Sequence, residues 1–349
     1  MRTLLLRTVA VAAAPLAAIA GNGDLFTAPI AFDAASVSTW RQTLLDWRAA
    51  TIASIGYNGS VYDEPALAWT RTAYVQPQVH LYDLALYNGT AYTVGSFLDG
   101  LEAQYGGVDA VLLWPTYTNL GIDARNQFDY FRALPGGGLD AMASLTEAFH
   151  ARGVHVLWAY NPWDEGTRDE GQPDAQAMAG LLAQTGGDGF NGDTMGSVGK
   201  EFYSASVAAG HPIALEPEGG GYGDDEATLE AANWETMGWG YWWASVDPGD
   251  NFTTSYDLAP GVDKLKWLDA RRMTNVCDRW SKNRTAAIQL ALFNGVGYES
   301  WENVWGSWNG LTDRDAELLR RSSSLLRFFG HNEYVTQSGG SDESGGKGG

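Results

Sequence analysis

Two short runs, DGFNGD (Asp188–Asp193) and PIALEPE (Pro212–Glu218), decide the fold because each reads as a buried strand that ends in an acid. They belong to a series in which apolar runs alternate with amphipathic stretches. The other runs are Val75–Asp83, Asp109–Pro115, Val154–Asn161, Gly238–Trp243 and Val296–Trp301, with Met273–Val276 as the candidate for an eighth. Repeated strand–helix units predict a parallel sheet, and eight of them over about 270 residues have the size of a (β/α)8 TIM barrel.

The competing architecture is a doubly wound open sheet. That fold usually carries a glycine-rich phosphate turn after its first strand, and no such turn follows Asp83. Apolar residues recur at helical spacing over Thr39–Ala53, after Leu139 and after Pro173. Thr312 and Asp315 have the spacing of a capping box and predict the start of a further helix. We therefore predict an α/β barrel with a short helical N-terminal extension.

The predicted domain organisation has four parts. Residues 1–20 form a signal peptide, 21–60 the helical extension, 61–330 the catalytic barrel and 331–349 a disordered Gly/Ser-rich tail. The signal peptide is predicted from Arg2 and Arg7 around a leucine run, an apolar stretch to Ala20 and the small-x-small pattern Ala18-Ile19-Ala20. Four N-x-S/T sequons, at Asn58, Asn88, Asn251 and Asn283, suit a secreted glycoprotein.

Composition excludes several partners. The chain has 349 residues with 22 basic and 42 acidic side chains, which gives a formal charge of -20. That balance argues against nucleic acid, which needs clustered Lys and Arg, and against an anionic membrane surface. No run after the first twenty residues is long enough to span a membrane. Abundant Trp, Tyr and Gly with many carboxylates suit a neutral carbohydrate, although an aromatic-rich core explains the same composition.

Metal and cofactor sites are not predicted. The single cysteine, Cys277, excludes an internal disulfide, and the five histidines (His80, His150, His155, His211, His331) show no ligand spacing. Of these, only His155 lies on a predicted strand with an inward direction. No loop has the spacing of a calcium site, and no organic cofactor is implied.

The acids at the strand ends are the candidate catalytic groups, because catalytic side chains of such barrels project from the C-terminal ends of strands. Strand alternation places Asn191 and Asp193 on the inward face, and likewise Glu216 and Glu218. Burial of an inward carboxylate is costly, which favours a function over a purely structural hydrogen-bonding role. Glu216 and Glu218 lie about 7 Å apart along their strand, and like charges at that range are expected to raise one pKa.

Other strand ends supply candidate substrate contacts. Tryptophans offer stacking platforms for sugar rings, although packing inside the barrel explains any single one equally well. The predicted contact residues are Trp114, Asn161, Trp163, Asp164, Asn191, Trp239, Glu299, Trp301 and Glu302, with Glu299 and Trp301 expected on one face. The loop Gly121–Asp129 either clamps a ligand through Arg125 and Asp129 or pairs with itself.

Paired carboxylates at a barrel mouth suit glycoside hydrolysis. One carboxyl group protonates the leaving oxygen while the other attacks the anomeric carbon or activates water. The sequence contains no G-x-S-x-G elbow, P-loop or H-E-x-x-H motif for a different hydrolytic chemistry.

The DGFNGD run also resembles the D-G-x-x-x-D strand of TIM-barrel glycoside hydrolases related to α-galactosidases, α-glucosidases and α-fucosidases. The resemblance covers roughly residues 61–330 by pattern and rests on this one motif. It implies that the final acid, Asp193, is the nucleophile. Relatives often take the acid/base from a later strand, where this chain offers Glu299 and Glu302. Many relatives also carry a C-terminal β-sandwich, which the sequence after residue 330 does not predict.

These observations predict a secreted glycoside hydrolase with a carbohydrate substrate and no cofactor. Asp193 is the predicted nucleophile or essential carboxylate, and Glu218 the general acid/base, with Glu216 as its alternate. Two alternatives stay open at this point. One is a carbohydrate-binding barrel without activity, and the other a metal-dependent hydrolase or deacetylase.

Overall fold

The computed structural model describes residues 25–26, 33–115, 124–164, 168–218, 226–240, 262–277, 283–302 and 310–331. Within them, eight parallel strands form one sheet in the order β5-β4-β3-β2-β1-β8-β7-β6. The strands are β1 (Val75–His80), β2 (Ala110–Trp114), β3 (His155–Tyr160), β4 (Gly189–Gly192), β5 (Ala214–Pro217), β6 (Met237–Gly240), β7 (Met273–Val276) and β8 (Gly297–Glu302).

The sheet closes on itself between its two outer strands. A parallel bridge joins Glu218, directly after β5, to Trp239 of β6. The predicted (β/α)8 barrel is therefore confirmed, and each of the eight predicted runs, including Met273–Val276, overlaps a strand.

The helices alternate with the strands, as the barrel requires. They are α1 (Ala34–Ser54), α2 (Val94–Tyr105), α3 (Gln127–Arg132), α4 (Leu139–His150), α5 (Asp174–Thr185), α6 (Lys200–Ala208), α7 (Glu226–Glu230), α8 (Lys264–Leu268), α9 (Thr285–Asn294) and α10 (Asp313–His331). In the described part of the chain, three 3₁₀ segments cover Ser60–Asp63, Pro65–Thr72 and Ala231–Asn233. None of the described helices is long and apolar enough to cross a bilayer.

Helix ends follow local capping chemistry. The Asp33 side chain accepts hydrogen bonds from Ala35 N and Ser36 N, so α1 begins five residues before the predicted Thr39. At α10, Asp315 N donates to Thr312 Oγ1, as predicted, whereas the Asp315 carboxylate accepts from Arg284 N and Thr285 Oγ1. This acid therefore ties the start of α10 to the start of α9.

The pairing register fixes which side chains fill the barrel. Leu112, Leu157, Gly189 and Ala214 lie opposite one another on consecutive strands and share the inward face. A Cβ at Gly189 would clash with the Ala214 carbonyl oxygen, so this position of the DGFNGD run requires glycine. The next residue, Phe190, faces the helices and contacts rings of β3 and α6. The alternation predicted for β4 is therefore correct.

The N-terminal extension packs on the barrel through α1 and α8. Leu44 and Trp267 belong to one buried cluster with Phe26 and Val262, and Trp267 Nε1 donates to Leu44 O at 2.9 Å. The predicted signal peptide, the sequon at Asn251 and residues 332–349 lie outside the described residues. Of the other sequons, Asn58 and Asn88 are exposed and Asn283 is half-buried.

Candidate active site

Asp193 directly follows β4 at the C-terminal end of the barrel. Its N–H donates to Tyr160 O at 2.9 Å, which extends the pairing of β3 with β4 by one residue. The side chain is only 4% exposed, and Trp163 Nε1 donates to its Oδ2 at 3.1 Å. Trp163 was predicted as a stacking platform, and the structure shows that its indole N–H also orients the candidate nucleophile.

Glu218 lies next to Asp193 on the neighbouring strand. Gly192 pairs with Pro217, so the following residues, Asp193 and Glu218, are opposite each other. Thr194 N donates to Glu218 Oε2 at 2.7 Å. Thr194 holds a left-handed conformation with φ 58°, which is unfavourable for a β-branched residue. Local backbone strain at a candidate site is typical of a functional constraint.

Glu216 lies one layer deeper and is fully buried. Gln76 Nε2 donates to both carboxylate oxygens at 2.8 and 2.9 Å. Asn191 Nδ2 donates to Oε1 at 3.0 Å, and Asn275 Nδ2 donates to Oε2 at 2.9 Å. Three strands besides its own therefore hold this carboxylate through amide groups.

Burial raises the pKa of Glu216 to about 7, although the amide donors of Asn191, Asn275 and Gln76 favour the ionised form. The predicted cause, repulsion between Glu216 and Glu218, is wrong, because desolvation dominates the shift. Glu216 is enclosed by protein amides, so its position fits support of the mouth better than contact with a glycosidic oxygen.

Glu299 and Trp239 form a second pair inside the barrel. Trp239 Nε1 donates to Glu299 Oε2 at 2.9 Å, and both side chains are buried. Because Glu218 is bridged to Trp239 in the backbone, this pair lies beside the end of β5. Trp239 thus connects two of the acids that the sequence singled out.

Trp301 does not share a face with Glu299, contrary to expectation. The pairing of β1 with β8 shifts between Gln76 and Gln78, so β8 carries one extra residue there. A bulge of this kind interrupts strand alternation.

The side chains after the bulge contact α2. Trp301 packs edge-to-face on Phe97, at 6.2 Å between ring centroids. Ser300 Oγ lies 2.9 Å from the Tyr105 hydroxyl. For Glu302 the structure gives only the backbone, which pairs with Gln78.

Asn161 follows β3 on the inward face and is 1% exposed. Its backbone N–H and carbonyl are held by the Gln127 side chain at 2.8 and 2.9 Å. Among the described residues, neither its Nδ2 nor its Oδ1 has a hydrogen-bond partner. A buried amide without partners is costly, so it marks a place where a polar ligand would bind.

The remaining predicted contacts occupy different positions. Trp114 ends β2 opposite His80 and is buried. Asp164 accepts the N–H of Gln127 at 2.7 Å, so its carboxylate caps the start of α3. Within the 121–129 loop, Asn126 N donates to Asp129 Oδ2 at 3.2 Å and Asp129 N donates to Asn126 Oδ1 at 2.9 Å, so these two residues pair with each other. Arg168, outside the loop, donates to Asp129 Oδ1 at 2.6 Å, and its hydrogen bond lowers the pKa of Asp129 to about 2. Residues 121–123 lie outside the described part.

Sequence reasoning identified Asn191 but missed the other two amide residues around Glu216. Gln76 and Asn275 come from β1 and β7, far from β5 in the chain. A signal was present in VQPQVH (Val75–His80), where polar side chains alternate with Val75, Pro77 and Val79 on an otherwise buried strand.

The interpretation that the histidines are scattered is wrong for His150 and His155, which both contact Asp188 at the opposite end of the barrel.

Comparisons with known proteins give weak similarities. No protein-family model and no curated protein sequence matches the chain. A quadruple mutant of the α-N-acetylgalactosaminidase NagBb from Bifidobacterium bifidum is 17% identical over 82% of this chain, which spans 56% of the length of that enzyme, with a TM-score of 0.48.

Two further solved structures are similar at the same level. An α-amylase from Geobacillus thermoleovorans is 12% identical over 77% of this chain and 80% of its own, with a TM-score of 0.45. The spore coat polysaccharide biosynthesis protein spsE from Bacillus subtilis is 12% identical over 75% of this chain and 70% of its own, with a TM-score of 0.44.

Proposed function

We propose that this protein is a secreted glycoside hydrolase in which Asp193 is the nucleophile and Glu218 the general acid/base. The observation that carries the proposal is the pairing of Gly192 with Pro217, which sets these two acids opposite each other at the C-terminal mouth. Catalytic groups of (β/α)8 enzymes come from this end of the strands.

The position of the two acids on adjacent strands is compatible with a retaining reaction, which is the course we propose. Retaining enzymes place their carboxyl groups about 5 Å apart, whereas inverting enzymes need room for a water between them. Asp193 attacks the anomeric carbon to form a glycosyl-enzyme ester while Glu218 protonates the departing oxygen. Glu218 then removes a proton from the water that hydrolyses the ester.

The surrounding groups fit these roles. The Trp163 N–H on Asp193 Oδ2 fixes the carboxylate for attack, and the Thr194 N–H fixes Glu218. The buried amide of Asn161 supplies a donor and an acceptor, which is what a sugar hydroxyl needs. A binding protein without activity needs aromatic surfaces and hydrogen bonds but not two opposed acids, which favours the enzyme.

Secretion is the second part of the proposal. It is supported by the signal-peptide pattern before Gly21 and by exposed sequons at Asn58 and Asn88. Intact-mass measurement on protein from the native source tests it. A mature start near Gly21 is expected, with glycan if the host is eukaryotic, and a full-length cytosolic species would refute it.

The activity is tested on a panel of 2,4-dinitrophenyl and 4-nitrophenyl glycosides in both anomeric forms. We expect turnover of at least one, with Asp193→Asn lower by several orders of magnitude. Asp140→Asn on the exposed side of α4 is the matched control and should retain full rate. Activity of Asp193→Asn within about tenfold of the wild type would exclude the assignment. Proton NMR of the first product identifies retention or inversion.

A further inference from the structure

Two histidines and an aspartate meet at the N-terminal end of the barrel, opposite the mouth. His150 Nε2 lies 2.6 Å from Asp188 Oδ2, and His155 Nδ1 lies 3.0 Å from Asp188 Oδ1. The three residues come from the end of α4, the start of β3 and the residue before β4. One donor atom from each lies within 4.8 Å of the others.

We propose that His150, His155 and Asp188 bind a transition-metal ion, with Zn²⁺ as the best match. Imidazole nitrogens with one carboxylate are a typical zinc donor set, whereas Ca²⁺ and Mg²⁺ prefer oxygen ligands only. Tetrahedral zinc with bonds of about 2.0 Å separates its ligand atoms by about 3.3 Å. The two nitrogens lie 2.6 and 3.0 Å from the Asp188 oxygens, so each of these nitrogen–oxygen distances is within 1 Å of that value.

Neighbouring residues fix each ligand in place. The Trp69 ring stacks on His155, with centroids 4.3 Å apart and planes 10° apart. Val156 N donates to Asp188 Oδ2 at 2.7 Å, which holds the carboxylate toward the histidines. Such outer contacts orient ligands and raise metal affinity. His211 Nε2 lies 2.8 Å from Gly187 O, so the residue before Asp188 is held as well.

An ion can reach the cluster from solvent. The side chains of His150 and His155 are 39% and 34% exposed, and Asp188 is 16% exposed. Three protein ligands leave a fourth position for water. The bound ion would join α4, β3 and β4 at the end of the barrel where residues serve stability and not catalysis. The site is thus separate from the acids at the mouth.

The test is a titration of tag-free protein with Zn²⁺ alone at pH 7.5, followed by calorimetry, with Ca²⁺ as the comparison ion. We expect one equivalent of Zn²⁺ to bind and Tm to rise by at least about 3 °C at saturation. Ca²⁺ should have no such effect. His150→Ala, which alters an exposed side chain, and His155→Gln should each weaken binding by at least about 100-fold.

His80→Gln is the matched control, since it removes a histidine at the other end of the barrel, where β1 ends, and should leave Zn²⁺ affinity unchanged. Absence of a saturable one-equivalent site in the wild type would overturn the proposal and leave the contacts as hydrogen bonds to Asp188. Zn²⁺ binding that survives in both His150→Ala and His155→Gln would overturn it equally.

Discussion

Replacing Glu216 by Gln tests the buried carboxylate at the centre of the barrel. The pKa of Glu216 is about 7 in the folded protein, against 4.5 for an unperturbed glutamate. Between these two pH values the folded protein keeps a proton that the unfolded chain has lost. The free energy of unfolding therefore falls as pH rises through this window. The stabilising contribution is complete below about pH 4.5 and is lost above about pH 7.

The size of the effect follows from the two pKa values. A difference from 4.5 to about 7 in a fully buried group corresponds to about 3 kcal/mol of stability lost across the window. Glutamine has nearly the same shape but does not titrate, so Glu216→Gln should remove this share of the pH dependence. The glutamine amide of this variant can donate to Asn275 Oδ1 once the Asn275 amide group rotates by about 180°. Asn275 Oδ1 has no hydrogen-bond partner among the described residues, so it is available as the acceptor.

Urea unfolding of the wild type and Glu216→Gln at pH 5 and pH 8 measures the difference. The pKa of buried Glu235 is also raised to about 7 by burial, so the wild type includes a second contribution. The comparison of the two proteins isolates Glu216, and Glu147→Gln on the exposed side of α4 is the matched control. Equal loss of stability from pH 5 to pH 8 in wild type and Glu216→Gln would refute the reasoning.

Three further substitutions probe other parts of the structure. Arg272→Met leaves the buried Glu235 carboxylate without its ion pair, so urea unfolding should show a loss of about 3–5 kcal/mol, most of which is recovered by adding Glu235→Gln. Thr194→Asn should stabilise the protein by about 0.5–1 kcal/mol in the same assay, because asparagine tolerates φ 58° better than threonine does. A lower free energy of unfolding in this variant would contradict backbone strain at Thr194. Asn161→Ala should leave Tm unchanged or higher, because it removes a buried amide that has no partner among the described residues. The same variant should lower kcat/KM on an aryl glycoside by at least about tenfold. An unchanged kcat/KM would exclude contact between Asn161 and the substrate.

The barrel was predictable from the sequence because its signal is local. A parallel strand that is covered on both faces appears in the sequence as an apolar run. Met273–Val276 is predicted as a strand because a (β/α)8 barrel needs eight strands, and the structure shows it as β7. The position of Glu216 followed from strand alternation within a single run. Its carboxylate lies on the inward face, as predicted, because amides of β1 and β7 contact it.

Features that depend on contacts between distant strands were not predictable. The amides of Gln76 and Asn275 reach Glu216 from the other side of the closed barrel, across 140 and 59 residues of sequence. The bulge that turns Trp301 toward α2 is visible only in the pairing of β1 with β8. His150 and His155 meet Asp188 because α4 returns to the bottom of the barrel beside β4, which spacing along the chain does not reveal.

The leaving-group dependence of Glu218→Gln tests the central claim most directly. A general acid matters for a poor leaving group and little for an acidic phenol, because the phenolate departs without protonation. We expect kcat/KM of Glu218→Gln to fall by at least about 100-fold on an alkyl glycoside or a natural glycoside while most activity on the matching 2,4-dinitrophenyl glycoside remains. Equal losses on both substrates would show that Glu218 is not the general acid and would contradict the account of the mouth.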